Sequence, residues 1–104
     1  SDDEIVGNTV KFKDDFRALY ISFDGIEIDN LEKENLEKLE KVKKDAKKSC
    51  IDFSLSIDKL NKLIKNNQYN EKNQKQVKEY LKTSKNLMEE SREGYKKLLE
   101  DFNQ

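Results

Sequence analysis

The residues able to do chemistry are few here, and their spacing does not assemble a catalytic set. The 104 residues contain no histidine. That removes the commonest general base, the Ser-His and Cys-His nucleophile pairs, and the usual zinc and di-iron ligand sets. The single cysteine, Cys50, leaves no internal disulfide to form. It falls between Ala46 and Phe53 in an apolar series, where a thiol serves as a small hydrophobe rather than a nucleophile. The paired carboxylates Asp14-Asp15 and Glu89-Glu90 are adjacent in sequence. On a helix adjacent residues point about 100° apart, so each pair is read as solvated. Glu32, Glu34 and Glu37 could in principle hold a metal ion, but they are read as surface charge decoration on a helix. No glycine-rich phosphate loop exists, since Gly25 stands alone. No catalytic, cofactor or metal residue is therefore assigned, and the chain is read as a non-enzymatic protein.

The lysines are distributed less evenly. Residues 41–86 hold thirteen lysines and no arginine, against the five acids Asp45, Asp52, Asp58, Glu71 and Glu79, a net +8. The whole chain carries -1, so the remainder carries -9. If the second and third helices fold back on each other, Lys59, Lys62, Lys65, Lys72, Lys75 and Lys78 gather at one end, with Lys82 and Lys85 behind them. Glu27, Asp29, Glu32, Glu34 and Glu37 gather at the other end with Glu89, Glu90, Glu93, Glu100 and Asp101. The expected object is a rod with a basic and an acidic end. Its basic end suits an anionic surface or an acidic protein, whereas the bland reading is a solvated lysine-rich helix face. Specific nucleic-acid binding is not expected, because arginine is missing from that end and only Tyr69 and Tyr80 could stack on bases. Tyr69 falls at the tip of the predicted loop, as a contact residue or as a lid over the bundle end.

These side chains are positioned by a strong helical period. Apolar or small residues recur every three or four positions in three series. The first is Ile5, Thr9, Phe12, Phe16, Leu19 and Phe23. The second runs from Leu36 through Leu39, Val42, Ala46, Cys50, Phe53, Ile57 and Leu60 to Ile64. The third runs from Val77 through Leu81, Ser84, Met88, Ser91, Tyr95 and Leu98 to Phe102. Each series lines one face of a helix. The absence of proline leaves all three segments free to be helical.

The spacing predicts a first helix over residues 3–23, closed by Asp24-Gly25 with the glycine in a left-handed cap. Ile26 and Ile28 then plug the open end of the bundle. A second helix starts near Asp29 or Asn30, with Asp29 and Glu32 spaced as a capping box, and runs to Lys65. It carries Glu34–Lys38, Glu37–Lys41 and Glu40–Lys44 at the favoured i,i+4 spacing. After a short link, Asn70 caps a third helix that reaches Phe102. Ser84 and Ser91, small seam residues, would let the rings of the first helix approach the third. Phe16, Phe53, Ile57 and Leu81 are expected in the core, with Lys41, Lys44 and Lys48 in water. The fold class is all-α: an elongated antiparallel three-helix bundle, up-down-up, with coiled-coil-like packing of two long helices and a shorter N-terminal one. Residues 1–104 form one domain.

No stretch is apolar and long enough to span a bilayer. The sequence opens on Ser1 rather than Met, which reads as a processed chain. In its richness in lysine and asparagine it is similar to the mature part of many bacterial surface lipoproteins, a likeness of composition that carries no site residues. It implies an extracytoplasmic, cell-surface or membrane-anchored module. A cytoplasmic or phage-type adaptor acting through self-association is the alternative.

Overall fold

The computed structural model describes the backbone of residues 2–102 and the side chains of residues 10–101. Three helices follow in order: α1 (Asp2–Asp24), α2 (Lys33–Lys65) and α3 (Glu71–Phe102). No strand is present among the described residues. The molecule is a rod of 54 × 21 × 16 Å. Its long axis is set by α2, whose 33 residues should span about 50 Å. The helices run up-down-up. Lys13 pairs with Asp58, Phe16 stacks on Phe53, and Phe23 packs with Val42 and Ala46, so α1 descends along α2. Ser49 meets Ser84 and Lys59 meets Gln76, so α3 returns along it.

The second and third apolar series form the seam. Leu39, Val42, Ala46, Cys50, Phe53, Ile57 and Leu60 are buried on α2, as are Val77, Ser84, Met88, Ser91 and Leu98 on α3. Cys50 is a free thiol among them. Leu36, the first residue of the second series, is 46% exposed and stands outside the seam. Ile5, Thr9 and Phe102 lie outside the described side chains.

The seam serines face α2 rather than the rings of α1, which reach α3 at Met88 and Tyr95 instead. No Cα of α1 comes within 8 Å of one of α3 among the described residues, and the small residues draw α2 and α3 together instead. Ala46, Ser49, Ser84 and Ser91 are all but fully buried there. The Ser49 hydroxyl donates to the Ser84 carbonyl across the interface. The Ser56, Ser84 and Ser91 hydroxyls donate to the carbonyls of Asp52, Tyr80 and Leu87, one turn back on their own helices. Gly94 belongs to the same contact: a Cβ built on it would lie 3.2 Å from Val42 Cγ2.

Among the described residues the three helices converge near the α1–α2 connection. There Phe23, Val42, Ala46 and Met88 form a core cluster, covered by Leu19, Ile26 and Tyr95. Phe23 meets Tyr95 edge-on at 5.7 Å. Ile26 thus closes that end as expected. Further along α1 the backbone of α3 stays beyond 8 Å, so Phe16, stacked on Phe53 of α2, and Leu81 of α3 are half-buried rather than buried, and Phe12 is 54% exposed. Phe53 and Ile57 are buried, and Lys41, Lys44 and Lys48 are exposed, as the period predicts.

The helix ends depart from expectation at α1 and α2. No glycine has positive φ among the described residues; α1 closes with Gly25 N–H on the Ile21 carbonyl at 3.1 Å and Ile26 N–H on the Phe23 carbonyl at 3.1 Å. The left-handed residue is Asn30, with φ 62°. A residue in that region cannot continue a right-handed helix, so α2 begins only at Lys33. Glu32 occupies the cap in extended conformation without a side-chain hydrogen bond, and the Asp29–Glu32 capping box does not form. The other connection obeys its local chemistry. Asn67, at φ 55°, donates to the Ile64 carbonyl and Gln68 N–H to that of Leu63, the paired bonds of a Schellman ending. Asn70 then caps α3, its Oδ1 accepting from Asn73 N–H at 3.0 Å.

Of the three predicted ion pairs along α2, only Glu34–Lys38 is present, at 3.6 Å. Lys41 turns to Asp45 at 2.6 Å instead of Glu37. Asp45 is the less exposed carboxylate, and Glu90 adds its field from α3. Glu40–Lys44 is not paired among the described residues.

Candidate functional site

The lysine-rich surface is built by the last turns of α2 and the first turns of α3. Lys59, Lys62 and Lys65 lie on α2. Lys62 and Lys65 occupy its final turn, where the negative end of the helix dipole favours cations. Lys72, Lys75, Lys78, Lys82 and Lys85 step along α3 at intervals of three, three, four and three, one face of about 20 Å. All eight are exposed. Lys59 is the most constrained. Its Nζ is 3.0 Å from Gln76 Oε1 and 5.7 Å from the centre of the Tyr80 ring, a cation–π contact between the two helices. Tyr69 is half-buried in the loop, and its carbonyl accepts from Gln74 Nε2 at 3.2 Å.

Because α1 runs antiparallel to α2, it brings Lys11, Lys13, Asp14 and Asp15, two cations and two acids, to the lysine-rich end. Asp2, Asp3 and Glu4 belong to the same helix, outside the described side chains. Lys59, Lys62 and Lys65 on α2 and Lys72, Lys75 and Lys78 on α3 flank the loop that joins the two helices. Glu27, Asp29, Glu32, Glu34, Glu37, Glu89, Glu90, Glu93, Glu100 and Asp101 are exposed towards the other end, as predicted.

Two grooves between α2 and α3 were not legible in the apolar periods. One, of about 260 Å³, lies over Val42, Ser91, Gly94 and Leu98 and is rimmed by Lys38, Lys41, Asp45 and Glu90. In that groove the Asp45 carboxylate, by its hydrogen bond and its charge, holds the Lys41 amine above its ordinary pKa. The other, of about 510 Å³, is lined by Lys48, Asp52, Leu55, Ser56, Lys59, Tyr80 and Thr83. Leu55 and Tyr80 are 63% and 52% exposed, and Ile51, one turn before Leu55, is 49% exposed. The available signal was that Ile51 and Leu55 are apolar yet off the seam, four residues apart.

Among the described residues, no group of three or more carboxylates and thiols is placed to hold a metal ion, and no helix is long and apolar enough to cross a membrane. No family model, curated protein or solved structure matches the chain.

Proposed function

We propose that this domain is a non-enzymatic interaction module that docks on an anionic surface through its lysine-rich side. In this reading it is the mature helical part of a bacterial surface-exposed or lipid-anchored protein and works outside the cytoplasm. The observation that carries the docking is the stripe Lys72, Lys75, Lys78, Lys82 and Lys85 on the outer face of α3, continued across the loop by Lys59, Lys62 and Lys65. A rigid row of cations is preorganised for a flat anionic layer. Near an anionic bilayer each lysine contributes roughly 1 kcal/mol, decaying within a Debye length of about 8–10 Å. The extracellular placement is supported by composition, the lysine and asparagine content shared with bacterial surface lipoproteins.

The test is co-sedimentation with vesicles containing phosphatidylglycerol, against neutral phosphatidylcholine vesicles and soluble polyphosphate. Binding to the anionic vesicles should weaken steeply with salt. Reversing Lys62, Lys65, Lys72 and Lys75 to Glu should abolish it without a large change in the thermal melt. Reversing Lys33, Lys38, Lys96 and Lys97 should leave it largely intact. Equal loss from both sets would reduce the effect to overall charge. No binding by the unmodified protein at low salt would refute the proposal and leave a solvated helix face.

A further inference from the structure

We propose that α1 is a detachable cover. It swings off the α2–α3 hairpin as a unit, about the connection at residues 25–32, and uncovers an apolar face that the closed molecule hides. This is a property of the fold, independent of what the lysines bind. The two contacts are held very differently. The α2–α3 seam is closed from end to end: Leu60 and Val77 near the loop and Leu98 at the far end are all within 3% of complete burial. Between them the Ser49 hydroxyl crosses to the Ser84 carbonyl, and Gly94 lets the helices close on Val42. The hold on α1 is lighter. Of its described side chains only Phe23 is fully buried; Phe16 and Leu19 are half-buried, and Phe12 is 54% exposed. The Lys13–Asp58 pair that ties it to α2 is wet on both sides, 38% and 57% exposed, and such pairs contribute little.

The connection is built to act as the hinge. The backbone hydrogen bonds of residues 25–32 run to α1 itself, at Ile21 and Phe23, and to Leu36 in the first turn of α2; among the described residues none reaches α3 or the body of α2. Asn30, at φ 62°, keeps α1 and α2 from merging into one rigid helix. A unit with few buried side chains and a loose tether opens at a lower free energy than the whole molecule unfolds. Cys50 reports the motion. It stands on α2 one turn from Ala46, which Phe23 covers, and one turn from Phe53, on which Phe16 stacks. The path of α1 therefore crosses the thiol, which is buried. With α1 away, Ala46, Cys50, Phe53 and Met88 meet water while the hairpin keeps its own seam. The open form thus presents an apolar strip, and how often it appears is set by how firmly Phe16 and Phe23 hold.

The test is labelling of Cys50 by a bulky disulfide reagent, alongside hydrogen exchange followed by NMR, in the intact protein at urea concentrations below the unfolding transition. Cys50 and the amides in the middle of α1 should report one opening. Its urea dependence should be shallower than that of the slowest amides of the α2–α3 seam, because less surface is uncovered than in complete unfolding. Two substitutions separate the steps. Phe16→Ala weakens only the closed form, so it should speed Cys50 labelling, α1 exchange and seam exchange by one common factor. Leu98 lies in a groove lined by α2 and α3 among the described residues, so its packing survives the opening. Leu98→Ala should speed seam exchange about tenfold or more and leave Cys50 labelling and α1 exchange within about twofold. Leu98→Val gives the same contrast on a smaller scale if the larger cavity unfolds the protein. Cys50 labelling that rises with the Leu98 changes as much as seam exchange does would mean that α1 leaves only when the whole molecule unfolds, and would overturn the inference. Labelling that ignores Phe16→Ala would mean that reagent reaches the thiol with α1 in place, and would equally remove α1 as its cover.

Discussion

Gly94→Ala offers a sharp test of the packing, because two effects of similar size oppose each other. Gly94 lies inside α3, where glycine costs about 1 kcal/mol relative to alanine. On an exposed face the change would stabilise by that amount. Here the new Cβ would stand 3.2 Å from Val42 Cγ2, several tenths of an ångström inside a comfortable contact. Val42 is buried in the core cluster and has a stiff β-branched χ1. The helices cannot part to make room without loosening Ala46, Ser49, Ser84 and Ser91, which are within 1% of complete burial. Overpacking of this kind costs about 1–3 kcal/mol. The expected result is that Gly94→Ala is neutral or destabilises by up to about 2 kcal/mol. In a Val42→Ala background the clash is gone, and the same change should stabilise by about 1 kcal/mol, a coupling of roughly 1–3 kcal/mol. Urea unfolding of the four proteins measures the cycle; for a chain of this size 1 kcal/mol corresponds to about 4–8 °C in Tm. Stabilisation by the full helix-propensity term in the natural background, with no coupling to Val42, would refute the close approach of α2 and α3 at this point.

Phe53→Ala should destabilise by about 3–5 kcal/mol in urea unfolding, because the ring is buried and stacked on Phe16 at 4.0 Å; Phe16→Ala should cost clearly less, since that ring is half-exposed. Asn70→Ala removes the acceptor of Asn73 N–H and should cost about 1 kcal/mol, with hydrogen exchange rising first at the start of α3. The Lys41 amine is held above its ordinary pKa by Asp45, so the contribution of its charge is present at neutral pH and is lost as pH rises through that raised value. NMR titration of the Lys41 side chain should show its midpoint fall on Asp45→Asn, and an unchanged midpoint would mean the 2.6 Å pair is not formed in solution.

The helices, their antiparallel order and most of the α2–α3 seam follow from local chemistry. A period of three to four apolar residues with no proline admits little but helix. Asn66 to Asn70 reads as a stop and a start because both acts are local: a left-handed asparagine and a side-chain cap reach only a few residues. The start of α2 was misread because Asp29 and Glu32 have the spacing of a capping box, while Asn30 adopts a left-handed turn that spacing does not reveal.

What only the tertiary structure decided is which helix lies against which face. Ser84 and Ser91 are small whether the neighbour is α1 or α2, and it is the hydroxyl of Ser49 and the bare Cα of Gly94 that assign them to α2. The return of α1 along α2 placed Lys11, Lys13, Asp14 and Asp15 beside the lysine-rich end. It also left one groove of the hairpin covered and the other open, with Leu55 and Tyr80 in it. A one-dimensional period records that a helix has an apolar face. It does not record how many partners share that face, because that depends on the position of a helix tens of residues away.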